Sequence, residues 1–166
     1  MALALNAQMK CAGPKGERLI AAMDFFTFAY TTALESNEIV TDIIFPVPEA
    51  GTAGTYAKLE RVAGDFAIAS AAVQMGMDSN GVCRHIGVGV TGGASVPQKA
   101  LDVEALLLGK KVVPEIITEA GRLVQEGADP VEDMRGSAAY KKKALGAVLK
   151  RALRESLQKA QAGKTS

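Results

Sequence analysis

The stretch at 55–70, TYAKLERVAGDFAIAS, sets a phenol, an ammonium, a guanidinium and a carboxylate between two segments built for burial. Read as a strand, it points Tyr56, Lys58 and Glu60 to one side and Ala57, Leu59 and Arg61 to the other. Ala63-Gly64-Asp65 then interrupts it, and Phe66-Ala67-Ile68-Ala69 resumes almost without polar relief. An aromatic ring and a few fixed charges at a tight corner can border a ligand that has an apolar face and a polar rim. The same residues can form a bulged turn with Lys58 and Arg61 in solvent. Spacing alone leaves both readings open.

Other constellations carry less. GVGVTGG contains a literal G-x-G-x-x-G at Gly87, Gly89 and Gly92, but no helix opens at the third glycine, because GASVP follows and Pro97 delays it. A dinucleotide site needs that helix N-terminus, so these glycines predict close packing or a bulge. His85, the one histidine, shares a strand face with Cys83 in the expected alternation. Two such ligands do not make a zinc site, and no nucleophile triad surrounds them. The carboxylates Glu126, Asp129, Glu132 and Asp133 match no calcium loop and fall where acids favour helix N-termini. The last helix has Lys141, Lys142, Lys143, Lys150, Arg151, Arg154 and Lys159 against Glu155. That pattern is either a solvated face or a contact surface for another subunit.

The elements that must position these residues follow from periodicity. ALALNAQMK alternates as a half-buried strand, AGPKGE turns it, and RLIA returns. DFFTFAYTTALESNE predicts short helical turns and loop, and IVTDIIFPV is a β-branched strand closed by Pro46 and Pro48. After EAGTAG, the strands TYAKLERV, FAIASAAVQMGM and VCRHIGVGVTG form an antiparallel sheet, with DSNG turning the last pair. Three helices follow. The first places Leu101, Ala105 and Leu108 on one face. The second opens at Pro114, buries Ile116, Ile117, Ala120 and Val124, and stops at Gly127. The third is capped by Ser137 and buries Leu145, Val148, Leu149, Ala152 and Leu153. Strands then helices predict an α+β fold, a three-stranded antiparallel sheet under a three-helix layer.

The 166 residues, 48% of them hydrophobic and 22% charged, suffice for one good core or two small ones. A net charge of +1 and an aromatic content of 5% without tryptophan give neither the field nor the stacking surface of a nucleic-acid binder. No apolar run reaches membrane-spanning length. Two distant cysteines and an N-terminus without the pattern of a signal peptide predict a reduced, cytoplasmic setting.

Taken together, E-I-V-T, Y-x-K-x-x-R-x-x-G-D-F-A and D-x-R-G-S-A-x-Y, in order and with sensible spacing, resemble the flavoprotein (medium) subunit of molybdenum hydroxylases. These are the carbon monoxide dehydrogenase and xanthine dehydrogenase enzymes. The resemblance covers nearly the whole chain and implies an FAD-binding remnant at 1–50 followed by a C-terminal α+β domain at 51–166. It implies that Val40 packs near the isoalloxazine ring, Tyr56 borders it, Lys58 approaches it, and the Arg61–Asp65 loop flanks the acceptor side. Asp65 is expected to pair with Arg61, and Arg135-Gly136-Ser137 to anchor the third helix.

The family's Gly-rich pyrophosphate loops have no counterpart in this sequence. The resemblance therefore implies a truncated subunit, a gene fragment or one part of a split flavoprotein, expected not to retain FAD by itself. It further implies electron transfer through flavin, with a molybdenum-cofactor large subunit and an iron–sulfur small subunit as partners. A role in assembly or docking, without FAD, is the alternative.

Overall fold

The computed structural model describes residues 1–162. β1 (Gln8–Gly13) and β2 (Gly16–Ala21) form a hairpin, and β5 (Ile39–Ile44) pairs antiparallel with the other side of β1, in the order β2-β1-β5. Between them lie α1 (Ala22–Phe25) and a small ribbon of β3 (Phe26–Phe28) and β4 (Thr31–Thr32). A first core gathers Leu3, Met9, Cys11, Ile20 and Phe25.

The second sheet has three long antiparallel strands, β6 (Thr52–Leu59), β7 (Ala69–Met77) and β8 (Cys83–Thr91). A two-residue strand, β9 (Gln98–Lys99), extends its edge. Its ladder sets the rungs Tyr56↔Ala72↔Gly89 and Lys58↔Ser70↔Thr91. Alternation sends Ala57, Ala71, Val73, Met75, Val88 and Val90 to the opposite face, where they meet α2 (Leu101–Leu107), α3 (Pro114–Glu126) and α4 (Ala138–Ala162) in the larger core. The α+β architecture is as the order of strands and helices predicts. The hydroxyl of Ser137 accepts the Tyr140 N–H at 3.2 Å, capping α4, and Leu145, Val148, Leu149, Ala152 and Leu153 are all buried.

Three local expectations are corrected. Residues 1–6 form turns, not a strand, with Leu5 N–H donating to Met1 O at 3.1 Å and Ala7 N–H to Ala2 O at 2.9 Å. The segment packs on β8, where a Cβ at Gly87 would lie 1.9 Å from the Ala4 carbonyl oxygen and one at Gly89 3.1 Å from Leu3 Cβ. The glycine motif is thus a landing surface for backbone. Second, α2 buries Val103 and Leu107 and leaves Leu101 and Leu108 exposed. The run Leu106–Leu108 permits more than one rotation, and the Glu104 carboxylate selects one by accepting the Val88 N–H at 2.7 Å.

Third, a register shift between Gly76 and Met77 pairs His85 with Gly76 but Cys83 with Met77. This bulge turns Cys83 into the core, away from the face His85 occupies. Both cysteines are free and buried, and burial pushes the Cys83 thiol up to about 11. No helix among the described residues is long and apolar enough to cross a membrane.

Candidate functional site

The face of the second sheet turned away from the helices carries Tyr56, Lys58, Ser70 and Thr91 on its adjoining rungs. Ala72 and Gly89 put almost no side chain on the stretch between them, so the sheet offers a flat base. Met1, Ala2, Leu3 and Phe26 approach over it, and with Tyr56, Ser70, Thr91 and Pro97 they bound a slot of about 170 Å³. Tyr56 is half exposed at the mouth. The Ser70 and Thr91 hydroxyls lie 2.7 Å apart and hydrogen-bond to each other. A flat base, aromatic flanks and a few hydroxyls suit a planar ring system with a polar edge.

The adjoining corner begins where β6 ends. Gly64 takes a φ of +89°, open to glycine at no steric cost. Asp65 N–H donates to Val62 O at 3.0 Å and Ile68 N–H to Leu59 O at 2.8 Å, closing the loop. The Lys58 ammonium is committed here, donating to Asp65 O at 3.0 Å and pairing with the Glu60 carboxylate. Both contacts stabilise the ammonium; the Glu60 carboxylate does so most and raises the lysine above its ordinary value.

Asp65 does not pair with Arg61 as expected. Its carboxylate accepts the Phe66 N–H at 2.7 Å and faces the Arg135 guanidinium at 3.8 Å. Arg135 also lies over the Phe66 ring, 5.6 Å from its centre. Arg61 donates to Met134 O at 3.5 Å. The loops at 60–66 and 131–136 are therefore stapled together around a shallow cleft of about 220 Å³ lined by Arg61, Asp65, Asp133, Met134 and Arg135. Arg135 anchors a neighbouring loop, whereas Ser137 alone caps the helix.

Tyr56 and Lys58 thus sit on one rung-to-rung surface, with Arg61 and Asp65 beside it. Val40 stands apart, on β5 opposite Cys11, and lines none of these clefts. Phe26, Ser70 and Thr91 join the neighbourhood without any sequence motif announcing a ligand, and Arg135, expected to anchor the third helix, joins them. Ser70 offers a signal after the fact, as the one polar residue within FAIASAAV.

A larger cleft of about 290 Å³ opens on the helix side, among Leu101, Val103, Leu123, Val124 and Leu145. Its wall also takes in Val90, Gln98 and Lys99 of the sheet, and it holds none of the candidate residues. The hairpin cleft at Gly13–Arg18 could in principle meet a phosphate, but its guanidinium is spent. Arg18 makes two bonds to Glu38, at 2.8 and 2.7 Å, and Glu17 and Glu35 add further negative charge. Among the described residues no group of three or more His, Cys, Asp or Glu side chains could hold a metal ion.

Residues 54–156 match the family described as the CO dehydrogenase flavoprotein C-terminal domain. The chain belongs to this family. Residues 1–48 match a second family, the FAD binding domain in molybdopterin dehydrogenase. A carbon monoxide dehydrogenase medium chain from Afipia carboxidovorans is 38% identical over 149 residues, covering 90% of this chain and 51% of the relative. A glyceraldehyde dehydrogenase medium chain from Sulfolobus acidocaldarius is 32% identical, covering 92% and 53%. The reconstituted CO dehydrogenase from Oligotropha carboxidovorans superposes with a TM-score of 0.91 at 35% identity, over 95% of this chain and 55% of that one. The flavoprotein-family chain spans about half the length of the curated relatives it matches.

Proposed function

We propose that this chain forms one half of the FAD-containing electron-transfer subunit of a molybdenum hydroxylase. The division near residue 50, between an FAD-binding part and the C-terminal part, belongs to the same proposal. The observation that carries the reading is the flat-based slot between the first turn and the Tyr56–Ala72–Gly89 rung. FAD, when bound, supplies the electron relay from iron–sulfur clusters of a small subunit, reduced by a molybdenum-containing large one, to an acceptor.

The chain's own residues bind and orient. Ala72 and Gly89 leave room for a planar ring, Phe26 and Tyr56 flank it, and the Ser70–Thr91 hydroxyl pair offers a polar contact at the edge. Lys58, held by Glu60 and Asp65 O, fixes the turn beside the slot, and Arg61 and Asp65 shape its outer lip. Val40, on β5 away from these clefts, belongs to the proposal on the family resemblance alone. The names of the relatives differ in substrate, which supports leaving substrate choice to the large subunit. Two buried free thiols support the cytoplasmic setting.

A ring slot without a pyrophosphate cradle provides too little binding free energy for retention. Titration of the isolated chain with FAD, followed by flavin fluorescence, should show no binding tighter than ~1 μM. In the subunit assembled with its remaining half, Tyr56→Ala should shift the flavin absorption bands and potential. Unaltered spectra and potential would remove the slot from the flavin site.

The docking alternative finds support in Lys143 and Arg154, exposed on α4. Lys141 takes no part in it, because it is buried, donating to Val131 O at 2.7 Å and pairing with Asp133 at 2.8 Å. Co-purification of Lys143→Glu/Arg154→Glu protein with the large subunit, undiminished, would rule that contact out.

A further inference from the structure

All six residues of β5 are exposed, although four of them are isoleucine or valine. The run continues through Phe45 and Val47, also exposed. β5 is an outer strand, and no strand pairs with its far edge among the described residues. The opposite outer strand is guarded. β2 carries Glu17, which pairs with Lys10 at 2.9 Å, and Arg18, which pairs with Glu38. Charges on an edge discourage further pairing, and β5 has only Asp42. One edge of this sheet is therefore closed to additional strands and the other is open and apolar. The relatives, in turn, have about twice the length of this chain.

We propose that the open edge of β5 is the seam for the half of the relatives' length that this chain does not span. That polypeptide adds a strand to Ile39–Ile44 and lays apolar side chains over Ile39, Ile43 and Ile44. Main-chain hydrogen bonds give the affinity, and the apolar side chains on both faces of the strand, Ile39 and Ile44 on one and Val40 and Ile43 on the other, add apolar contact. The inference rests on the fold and on the length of the relatives, and it stands independently of the flavin reading.

The test joins the unspanned half of the Afipia carboxidovorans medium chain to this one and compares hydrogen exchange with that of the isolated chain. Amides of 39–44 should slow by on the order of 100-fold in the joined protein. Ile39→Lys/Ile43→Lys should abolish that protection and leave β1 exchange unchanged. Equal exchange in both proteins overturns the proposal, as does new protection at β2 instead of β5. A concentration-dependent dimer of the isolated chain with β5 protected overturns it too, by naming a second copy as the occupant.

Should the joined protein fail to fold, separately produced halves are mixed and their mass is read. A 1:1 complex lost on Ile43→Lys supports the seam, and the absence of any complex overturns it. Flavin uptake is a separate readout. Bound FAD with unprotected β5 defeats only the seam, and protected β5 without FAD defeats only the flavin reading.

Discussion

Arg135 serves two neighbours at once, the Phe66 ring and the Asp65 carboxylate, and both belong to the loop that edges the slot. Exposed cation–ring contacts contribute about 0.5–1 kcal/mol. Arg135→Gln should therefore reduce stability by about that amount in chemical denaturation, while hydrogen exchange at 60–66 accelerates. An unchanged loop would show that backbone bonds alone hold it. A second residue-scale effect lies at Glu38, which accepts two bonds from Arg18 and the Glu35 N–H at 2.8 Å. Arg18 first, then that N–H, holds its carboxyl at about 2, below the ordinary 4.5. Because the folded value is depressed, the stabilisation is fully present above the ordinary value and is lost as pH falls toward about 2. Glu38→Gln should lower Tm at pH 7, with the gap to the parent protein closing below pH 4. A constant gap would exclude ionisation as its source. The sequence singles out Tyr56, Lys58, Arg61 and Asp65, but Asp65's partner was beyond it, because Arg135 lies 70 positions further along the chain.

At the scale of elements, the landing of the first turn on β8 depends on two missing methyl groups. Gly87→Ala would drive Cβ into the Ala4 carbonyl oxygen, a backbone atom that cannot rotate away. A loss of about 1–3 kcal/mol is expected, with faster exchange at 1–6 and unaltered exchange in α4. Gly89→Ala, at 3.1 Å from Leu3 Cβ, should cost less, and equal losses would contradict this packing account. Periodicity revealed the three long strands, α3 and the buried stripe of α4, where one face is plainly apolar. It misread α2, where consecutive leucines fit several rotations and a hydrogen bond to β8 decides. It also misread Leu3 and Leu5, whose alternation mimics a strand while the chain turns to meet glycine. The bulge beside Cys83 is likewise invisible to alternation, since one extra residue reverses the faces.

For the molecule as a whole, the larger sheet stands between two hydrophobic clusters. The smaller cluster contributes Leu3 and packs around Phe25, and the larger lies beneath the helices. The α+β order and the second sheet were legible because β6 alternates, β7 is an almost unbroken apolar run, and DSNG marks the turn into β8. The docking of the first turn on the sheet was not, since it arises from small residues and from Lys99. The Lys99 ammonium reaches Leu3 O at 3.4 Å and also bonds the Asn6 amide oxygen.

Lys99 and Leu3 are 96 positions apart in sequence. Bringing such remote segments together carries a large loop-closure entropy, so these contacts arrive late in folding. The slot is therefore a product of the last docking event, absent from any intermediate that holds only the sheet and its helices. In stopped-flow refolding, helical ellipticity should recover before tyrosine emission from the Tyr56 neighbourhood, and simultaneous recovery would show a single concerted closure.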